Sequence, residues 1–313
     1  MYQINLNSNQ DIPDVSICVC TYKRPALLLK LLESLSIQTF PINRFEVVIV
    51  DNDISESAKR IVNEAMHLYP ELEVRYEIEP IQGISFARNR TVSLARGKLL
   101  AFIDDDEIAQ VSWLHNLVVT METHQADAVL GPVVPKFPNG TSEWVVKSKY
   151  FVRPRFATGT FIRSELCRTG NTLIIGSKIK FRKPSSFDNF YAQSGGEDYD
   201  FFKWLEDHGG KFVWCDEAEV LEEVPSVRQT IGYMLDRGLR VSTTYWQKIN
   251  QKRGKSRAGI EALFGVCIGI SFAILGLLLI PFGFHHSVRS WVISVKGFGR
   301  LLALTNYKCV GYP

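Results

Sequence analysis

The chain has 313 residues, 46% of them hydrophobic and 22% charged, with 36 basic side chains against 33 acidic ones. That length suits one large domain or two modest ones, and the composition is that of a globular protein with extra apolar matter somewhere. The charges nearly cancel and no long basic stripe appears in the first 240 residues, so nothing in the balance points to nucleic acid as the main partner.

Met1 to Asp14 is polar, with no apolar stretch resembling a signal peptide. The six cysteines (Cys18, Cys20, Cys167, Cys215, Cys267 and Cys309) are scattered and show no zinc spacing. A reducing, cytosolic setting for the catalytic part follows as an expectation.

In chain order, Val15–Cys20 reads as a strand, and Pro25 suits the first position of a leucine-rich helix over Ala26–Ser36. Phe45–Val50 is a continuous apolar strand that ends at Asp51-Asn52-Asp53. Ser55–Leu68 reads as a helix, Leu72–Ile78 as an alternating strand and Ser85–Ala95 as a helix. Lys98–Ile103 is a strand that ends on Asp104, Asp105, Asp106 and Glu107, and Ser112–His124 is a helix capped by Ser112. Strands alternating with helices predict an α/β fold, a mostly parallel sheet with helices on both faces. Ligands gather beyond the carboxyl ends of such strands, where Thr21–Arg24, Asp51–Asp53 and Asp104–Asp106 converge.

Val133–Ser194 shows prolines, glycines and lone aromatics and reads as largely irregular. Gly195-Gly196 then leads into Glu197-Asp198-Tyr199-Asp200, the start of a helix to about His208. Lys211–Asp216 reads as a strand and Ser226–Asn250 as a helix. Ala262–Phe284 is 23 residues without a charge, long enough to cross a hydrocarbon core. Basic residues flank it on both sides, no second helix of matching hydrophobicity is there to cover it, and Pro281 permits a re-entrant hairpin in place of a span. Ser287–Leu304 mixes apolar and basic residues, as an interfacial segment does.

Four consecutive carboxylates repel one another unless a cation sits among them. At the end of a buried strand they suit a hard divalent ion, Mg²⁺ or Mn²⁺, that grips phosphate oxygens. Acid runs also occur as solvated turns, and that alternative stays open on this signal alone. The same holds for Asp51–Asp53 as a polar turn, for Arg88 and Arg90 as solvated helix charges, and for Glu197 and Asp198 as decoration of a helix N-terminus. Trp144, Tyr150, Phe151 and Phe156 either stack on a sugar or lipid carrier or pack.

The order Val15 to Pro25, Val48-Ile49-Val50-Asp51-Asn52-Asp53, Gly83 to Asn89, the acid cluster and Gly195-Gly196-Glu197-Asp198 resembles family 2 glycosyltransferases. The Val-Asp-Asn-Asp variant and Thr169-Gly170-Asn171 look most like the ExoM-type branch, which builds bacterial exopolysaccharide repeat units. The resemblance covers roughly residues 14–245. It implies a GT-A fold for residues 1–250, a nucleotide-diphosphate-sugar donor such as a UDP-hexose, a divalent metal and inversion at the anomeric carbon. Residues 251–313 are then a basic linker, a hydrophobic helix over 262–284 and an interfacial tail.

Carried over by position, Thr21, Tyr22 and Arg24 stand against the nucleotide, Asp51 and Asp53 near the base, and Arg88 at the donor. Asp104 and Asp106 match the Asp-x-Asp motif as metal ligands, with Asp105 on the donor side and Asp106 the better metal candidate. Asp198 is the implied base, with Glu197 and Asn171 toward the acceptor. The downstream Gln-x-x-Arg-Trp motif of processive members is absent: Gln229 is followed by Thr230, Ile231 and Gly232. Arg237 or Arg240 is a stand-in for its arginine near the diphosphate.

The implied reaction is addition of a single sugar to a lipid-linked glycan at the inner (plasma) membrane, with the catalytic domain facing the cytoplasm. Two other readings share the sheet and the paired acids. A sugar nucleotidyltransferase wants a glycine-rich loop after the first strand, where Thr21-Tyr22-Lys23-Arg24-Pro25 has no glycine. A non-catalytic membrane-bound binding module would not need intact acids at both sites.

Overall fold

The computed structural model describes residues 12–251, 255–305 and 307. The polar N-terminal stretch up to residue 11 and part of the basic linker lie outside the described residues.

The strands are β1 (Val15–Thr21), β2 (Phe45–Asp51), β3 (Val74–Ile78), β4 (Leu99–Phe102), β5 (Glu107–Ala109), β6 (Ala128–Leu130), β7 (Val133–Lys136), β8 (Phe161–Ile162), β9 (Thr172–Ile175), β10 (Phe212–Trp214) and β11 (Val220–Glu223). The helices are α1 (Pro25–Ser36), α2 (Lys59–Leu68), α3 (Ile84–Leu94), α4 (Trp113–His124), α5 (Glu143–Ser148), α6 (Gly176–Phe181), α7 (Glu197–Asp207), α8 (Ile231–Gln251), α9 (Lys255–Leu278) and α10 (Phe284–Leu302). Two compact units result. The first runs to Val134 and takes in Arg153–Ala192 and Glu197–Glu222; the second takes Pro135–Val152, Gln193–Gly196 and the chain from Glu223 onward.

The first unit is built on an eight-stranded sheet in the order β3-β2-β1-β4-β9-β6-β10-β8. β1 pairs in parallel with both β2 and β4, and β2 with β3. β9 runs antiparallel between β4 and β6, and β10 returns parallel to β6. The sheet is therefore mostly parallel, as the alternating pattern predicts. A parallel sheet is covered on both faces, which is why β2 is buried at all seven positions.

Side chains alternate across β1 with period two. Ile17 and Val19 meet Leu28, Leu31 and Leu35 of α1 on one face. Cys18 meets Leu100, Phe102 and Phe187 on the other. Each fully buried leucine contributes about 1.5–3 kcal/mol. Pro25 opens α1 at a position where no backbone N–H is needed.

Three sequence expectations are corrected. The helix over Ser55–Leu68 begins only at Lys59, because Glu56 sits at φ 56°, outside the helical region. The segment expected to be irregular supplies β9, a central strand only four residues long and followed at once by α6. β6, three residues long, was not expected at all.

The second unit holds α5, α8, α9 and α10, with Trp144, Tyr150 and Phe151 packed around Val145, Met234, Val288 and Val292. These three aromatics are packing residues. The helix expected over 262–284 runs from Lys255 to Leu278 and stops before a turn at Ile280–Phe282. Pro281 and Gly283, the latter at φ 132°, end it there. The chain then returns as α10 along α9, so the apolar helix does have a partner. Ser287–Leu304 is mostly α10, which buries Ser287, Ser290 and Ser294.

Candidate active site

β1 stands between β2, which precedes a run to one side, and β4, which starts the run to the other. The carboxyl ends of β1 and β4 thus border a topological switch point, where a ligand crevice opens. Thr21 ends β1 and donates from Oγ1 to Oδ2 of Asp105 at 2.8 Å. Arg24, three residues on, donates from Nη1 to Oδ1 of Asp105 at 3.2 Å and to Oδ2 of Asp106 at 3.0 Å. One guanidinium therefore neutralises two of the four adjacent acids. Tyr22 is half-buried, with the Lys23 ammonium 4.9 Å from its ring centroid.

The four acids have different electrostatic fates. Burial pushes the Asp105 carboxyl above its usual range, a shift only partly offset by Arg24 and Thr21. Glu107 is raised further, by burial and by the neighbouring Asp104 and Glu222. Its Oε2 accepts from the backbone N–H of Asp104 at 2.9 Å, fixing the turn that carries the acids. Asp104 is the open member: its side chain is 46% exposed, and Oδ1 lies 3.5 Å from Arg88 Nη2. Asp106 is buried and held by Arg24.

Arg88, on α3, is almost fully buried and pairs through Nη1 with Oε1 of Glu197, the first residue of α7. Among the described residues nothing donates to the buried Oε2 of Glu197, an acceptor open to a ligand hydroxyl. α7 opens directly after Gly195 and Gly196, at φ 76° and 105°, a conformation that side-chain-bearing residues rarely adopt. Three acids occupy its first turn. Glu197 is paired with Arg88 and Asp200 with Arg182 at 2.5 Å. Asp198 is half-buried and forms no ion pair among the described residues; Oδ1 accepts only from the Tyr199 N–H at 2.7 Å.

The end of β2 is organised differently. Asp51 is fully buried, and its oxygens accept from Asp53 N (3.0 Å), Ala58 N (2.9 Å) and Tyr76 Oη (2.9 Å). Burial and the bond to Asp51 push the Tyr76 hydroxyl up, so the proton stays on the tyrosine. Asp53 caps its own turn, accepting from Ser55 N at 3.1 Å. Asn52, which the sequence did not single out, accepts from Gly83 N at 2.7 Å and donates to Glu79 and Ile81 carbonyls, positioning the start of α3.

Asn171 is placed near the acids by chain position but is fully buried. Its Oδ1 accepts from Trp113 Nε1 at 2.7 Å, and Nδ2 donates to the carbonyls of Pro132 (2.9 Å) and Ala218 (2.7 Å). Both amide donors and one lone pair of the acceptor are engaged by the frame. Its φ of 61° suits asparagine. Arg237 and Arg240 lie on α8 in the second unit. Arg240 donates to the carbonyl of Ser194 at 3.2 Å, and Arg237 to Tyr233 Oη at 3.4 Å.

A cleft beside the acids went unnoticed in the sequence. Its lining includes Gly131, Arg153, Phe156, Arg168, Gly170 and Trp214. Gly170 forms the border with the acids: a Cβ there would lie 2.9 Å from Glu107 Oε1 and 3.0 Å from Asp104 Oδ2. Phe156 meets Trp214 edge to face at 5.5 Å. The usable signals were Arg168 immediately before Thr169-Gly170-Asn171, and Trp214 at the end of an expected strand.

Among the described residues, no three metal-ligating side chains cluster. The donor set still fits a divalent ion such as Mg²⁺ or Mn²⁺, which is commonly held by one or two carboxylates plus substrate phosphates and water. Asp104 offers the more exposed carboxylate for this, and Asp106 is buried with its Oδ2 on Arg24.

The family model described as Glycosyl transferase family 2 matches residues 16–188. The succinoglycan biosynthesis protein ExoM of Rhizobium meliloti (strain 1021) is 32% identical over 264 residues, covering 82% of each chain. The mannosyltransferase PcManGT of Pyrobaculum calidifontis, solved with GDP-Man and Mn²⁺, is similar at a TM-score of 0.64 and 16% identity, over 97% of this chain and 91% of that one. TarS 1-349 of S. aureus, solved with UDP, is similar at a TM-score of 0.55 and 17% identity, over 91% of this chain and 89% of that one. At such identities these structures speak for the fold, which is GT-A-like. The chain belongs to glycosyl transferase family 2.

Proposed function

We propose that this chain is a metal-dependent, inverting hexosyltransferase. It moves one sugar from a nucleotide-diphosphate sugar, a UDP-hexose, to a lipid-linked oligosaccharide in bacterial exopolysaccharide synthesis. The likeness to succinoglycan biosynthesis protein ExoM supports the pathway class, and the neighbours solved with UDP and with GDP-Man support the donor class. Residues 1–250 carry catalysis; 251–313, with α8 packed against them, associate with the cytoplasmic face of the inner membrane.

The observation that carries this reading is the division of labour among the acids. Arginines occupy Asp105, Asp106, Glu197 and Asp200, whereas Asp198 has no cationic partner among the described residues. An unpaired carboxylate at a helix start can take a proton. In the reaction, the acceptor hydroxyl oxygen bonds to the anomeric carbon and its proton passes to Asp198. The bond from that carbon to the diphosphate breaks, and the nucleoside diphosphate leaves with the electron pair. A divalent metal bound through Asp104 and Asp106 would supply Lewis-acid stabilisation of the leaving diphosphate. Thr21, Tyr22 and Arg24 flank the nucleotide, Asp51 and Asp53 shape the turn beside its base, and Asp105 anchors Arg24 there. Arg88 fixes Glu197, whose free Oε2 receives a sugar hydroxyl. The aromatic and arginine-lined cleft beyond Gly170 takes the acceptor.

Asp198→Asn should abolish transfer while leaving UDP-sugar binding, read as a ligand-induced rise in melting temperature, intact. Chelation with EDTA should stop transfer by the unaltered protein, with Mn²⁺ or Mg²⁺ restoring it. Retained transfer in Asp198→Asn removes the base assignment; transfer indifferent to EDTA removes the metal.

A further inference from the structure

α9 and α10 form an antiparallel hairpin with a small-residue seam. Ala258, Ala262, Gly265, Gly269 and Gly276 are the buried positions of α9. A Cβ at Gly265 would lie 2.6 Å from the Gly297 carbonyl oxygen, and one at Gly276 2.2 Å from Trp291 Nε1. Ser294 Oγ donates to the Gly269 carbonyl at 2.7 Å, and Arg300 Nη1 lies 3.3 Å from Glu261 Oε2. The two helices are therefore in contact from end to end.

The rest of α9 is apolar and open. Leu263, Phe264, Ile270, Ile274, Leu277 and Leu278 are each at least half exposed. By length and composition Ser256–Leu278 could cross a membrane, with only 22% of its most apolar window buried. α10 cannot accompany it cheaply. α10 carries Arg289, Lys296 and Arg300, and charges at the bilayer centre are costly. α10 is also fastened elsewhere. Arg289 donates to the carbonyls of Ser148 and Lys147, and Ser242 Oγ of α8 donates to the Lys296 carbonyl at 2.6 Å. A spanning α9 would have to drag these cations along or shed a seam with no room for side chains.

We infer that α9 lies in the plane of an anionic phospholipid surface, its exposed face among the acyl chains, and does not cross the bilayer. This rests on the membrane association proposed above and specifies its geometry. The lipid class follows from charge. Lys248, Lys252, Arg253, Lys255 and Arg257 precede the apolar face, with no acid between Lys248 and Arg257. Such a run is drawn to anionic headgroups, at about 1 kcal/mol for each basic residue near the surface.

Residues 263, 270 and 277 share the exposed face at heptad spacing, which makes depth measurable. The full chain, with Cys20→Ser, Cys267→Ser and Cys309→Ser and with Cys18, Cys167 and Cys215 buried, takes one bimane-labelled cysteine at a time, as Leu263→Cys, Ile270→Cys or Leu277→Cys. Each variant is mixed with phosphatidylglycerol–phosphatidylcholine vesicles, and quenching by lipids brominated at different depths is read. Donor binding by each variant certifies its fold. In-plane docking predicts three equal, shallow depths, and binding at least about tenfold weaker to pure phosphatidylcholine vesicles. Unequal depths, with one label close to the bilayer centre and another near the headgroups, mean a span. That result overturns the inference and leaves membrane association standing. Failure to float with any vesicle overturns both. Labels shielded in a lipid-free dimer would assign the face to a second copy, which also overturns the inference.

Discussion

Arg88 and Glu197, 109 positions apart in sequence, form a buried ion pair that joins α3 to the first residue of α7, and the same guanidinium faces Asp104 at 3.5 Å. The helix that presents Asp198 is thus tied to the acid at the end of β4. Removing one partner of a buried pair strands the other charge. Arg88→Met should cost about 3–5 kcal/mol of stability, and adding Glu197→Met should recover much of it. Urea denaturation measures both; a single variant within about 1 kcal/mol of the unaltered protein would contradict a buried, load-sharing pair.

Asn171 should behave as a structural residue. Asn171→Ala leaves Trp113 Nε1 and the carbonyls of Pro132 and Ala218 without their partner, at a cost of about 3 kcal/mol or more. At a temperature where the variant stays folded, its KM for acceptor should be unchanged. A raised KM with undiminished stability would return Asn171 to the acceptor side.

The cleft beyond Gly170 should answer to acceptor, not donor. Phe156→Ala and Arg168→Ala are each expected to raise the acceptor KM roughly tenfold, ~1.4 kcal/mol, with UDP-sugar binding unaltered. Initial-rate kinetics with each substrate varied in turn decide it. Equal losses for both substrates would place the cleft elsewhere in function.

Acid sensitivity should trace in part to Glu46, a fully buried residue of β2 far from the reacting groups in sequence. Burial alone would raise its carboxyl. The bonds from Ser16 Oγ (2.6 Å), Arg96 N (2.9 Å) and Arg96 Nε (2.8 Å) outweigh that and hold it below its ordinary value of 4.5. A lowered folded value means the unfolded chain binds the proton first. Its stabilisation is therefore present above about pH 4.5 and lost as pH falls through the folded value. Glu46→Gln should cost roughly 2–3 kcal/mol at neutral pH and flatten the acid limb of the stability curve. An unchanged acid limb in denaturation series across that range would exclude Glu46 as a contributor.

The parallel half of the fold was legible because its signals are local. β1, β2 and β4 are apolar runs ending on polar residues, and α1 carries its proline and leucines in view. The acid cluster and the Glu197-Asp198 helix start were legible for the same reason. What sequence did not disclose was partnership. Nothing near Arg24 states that it will neutralise Asp105 and Asp106, some 80 residues away. The polar spacing of Asn171 looks the same whether it faces a ligand or a frame. Short β6 and β9 carry too few residues for a period to emerge, and their identity comes from the strands beside them. The small side chains of α10 gave no sign of hydrophobic cover, because the seam works by close approach and not by apolar bulk.

The late arrival of β9 sets a timetable for synthesis. β4 is complete at Phe102 and β6 at Leu130, yet the strand that separates them is not made until Ile175. A nascent chain stopped before that point offers two bare strand edges, the kind that recruit other chains. Fragments ending before Thr172 are thus poor units for expression, and a ribosome emerging past Ile175 is the first to carry a chain able to close its sheet from β3 to β6.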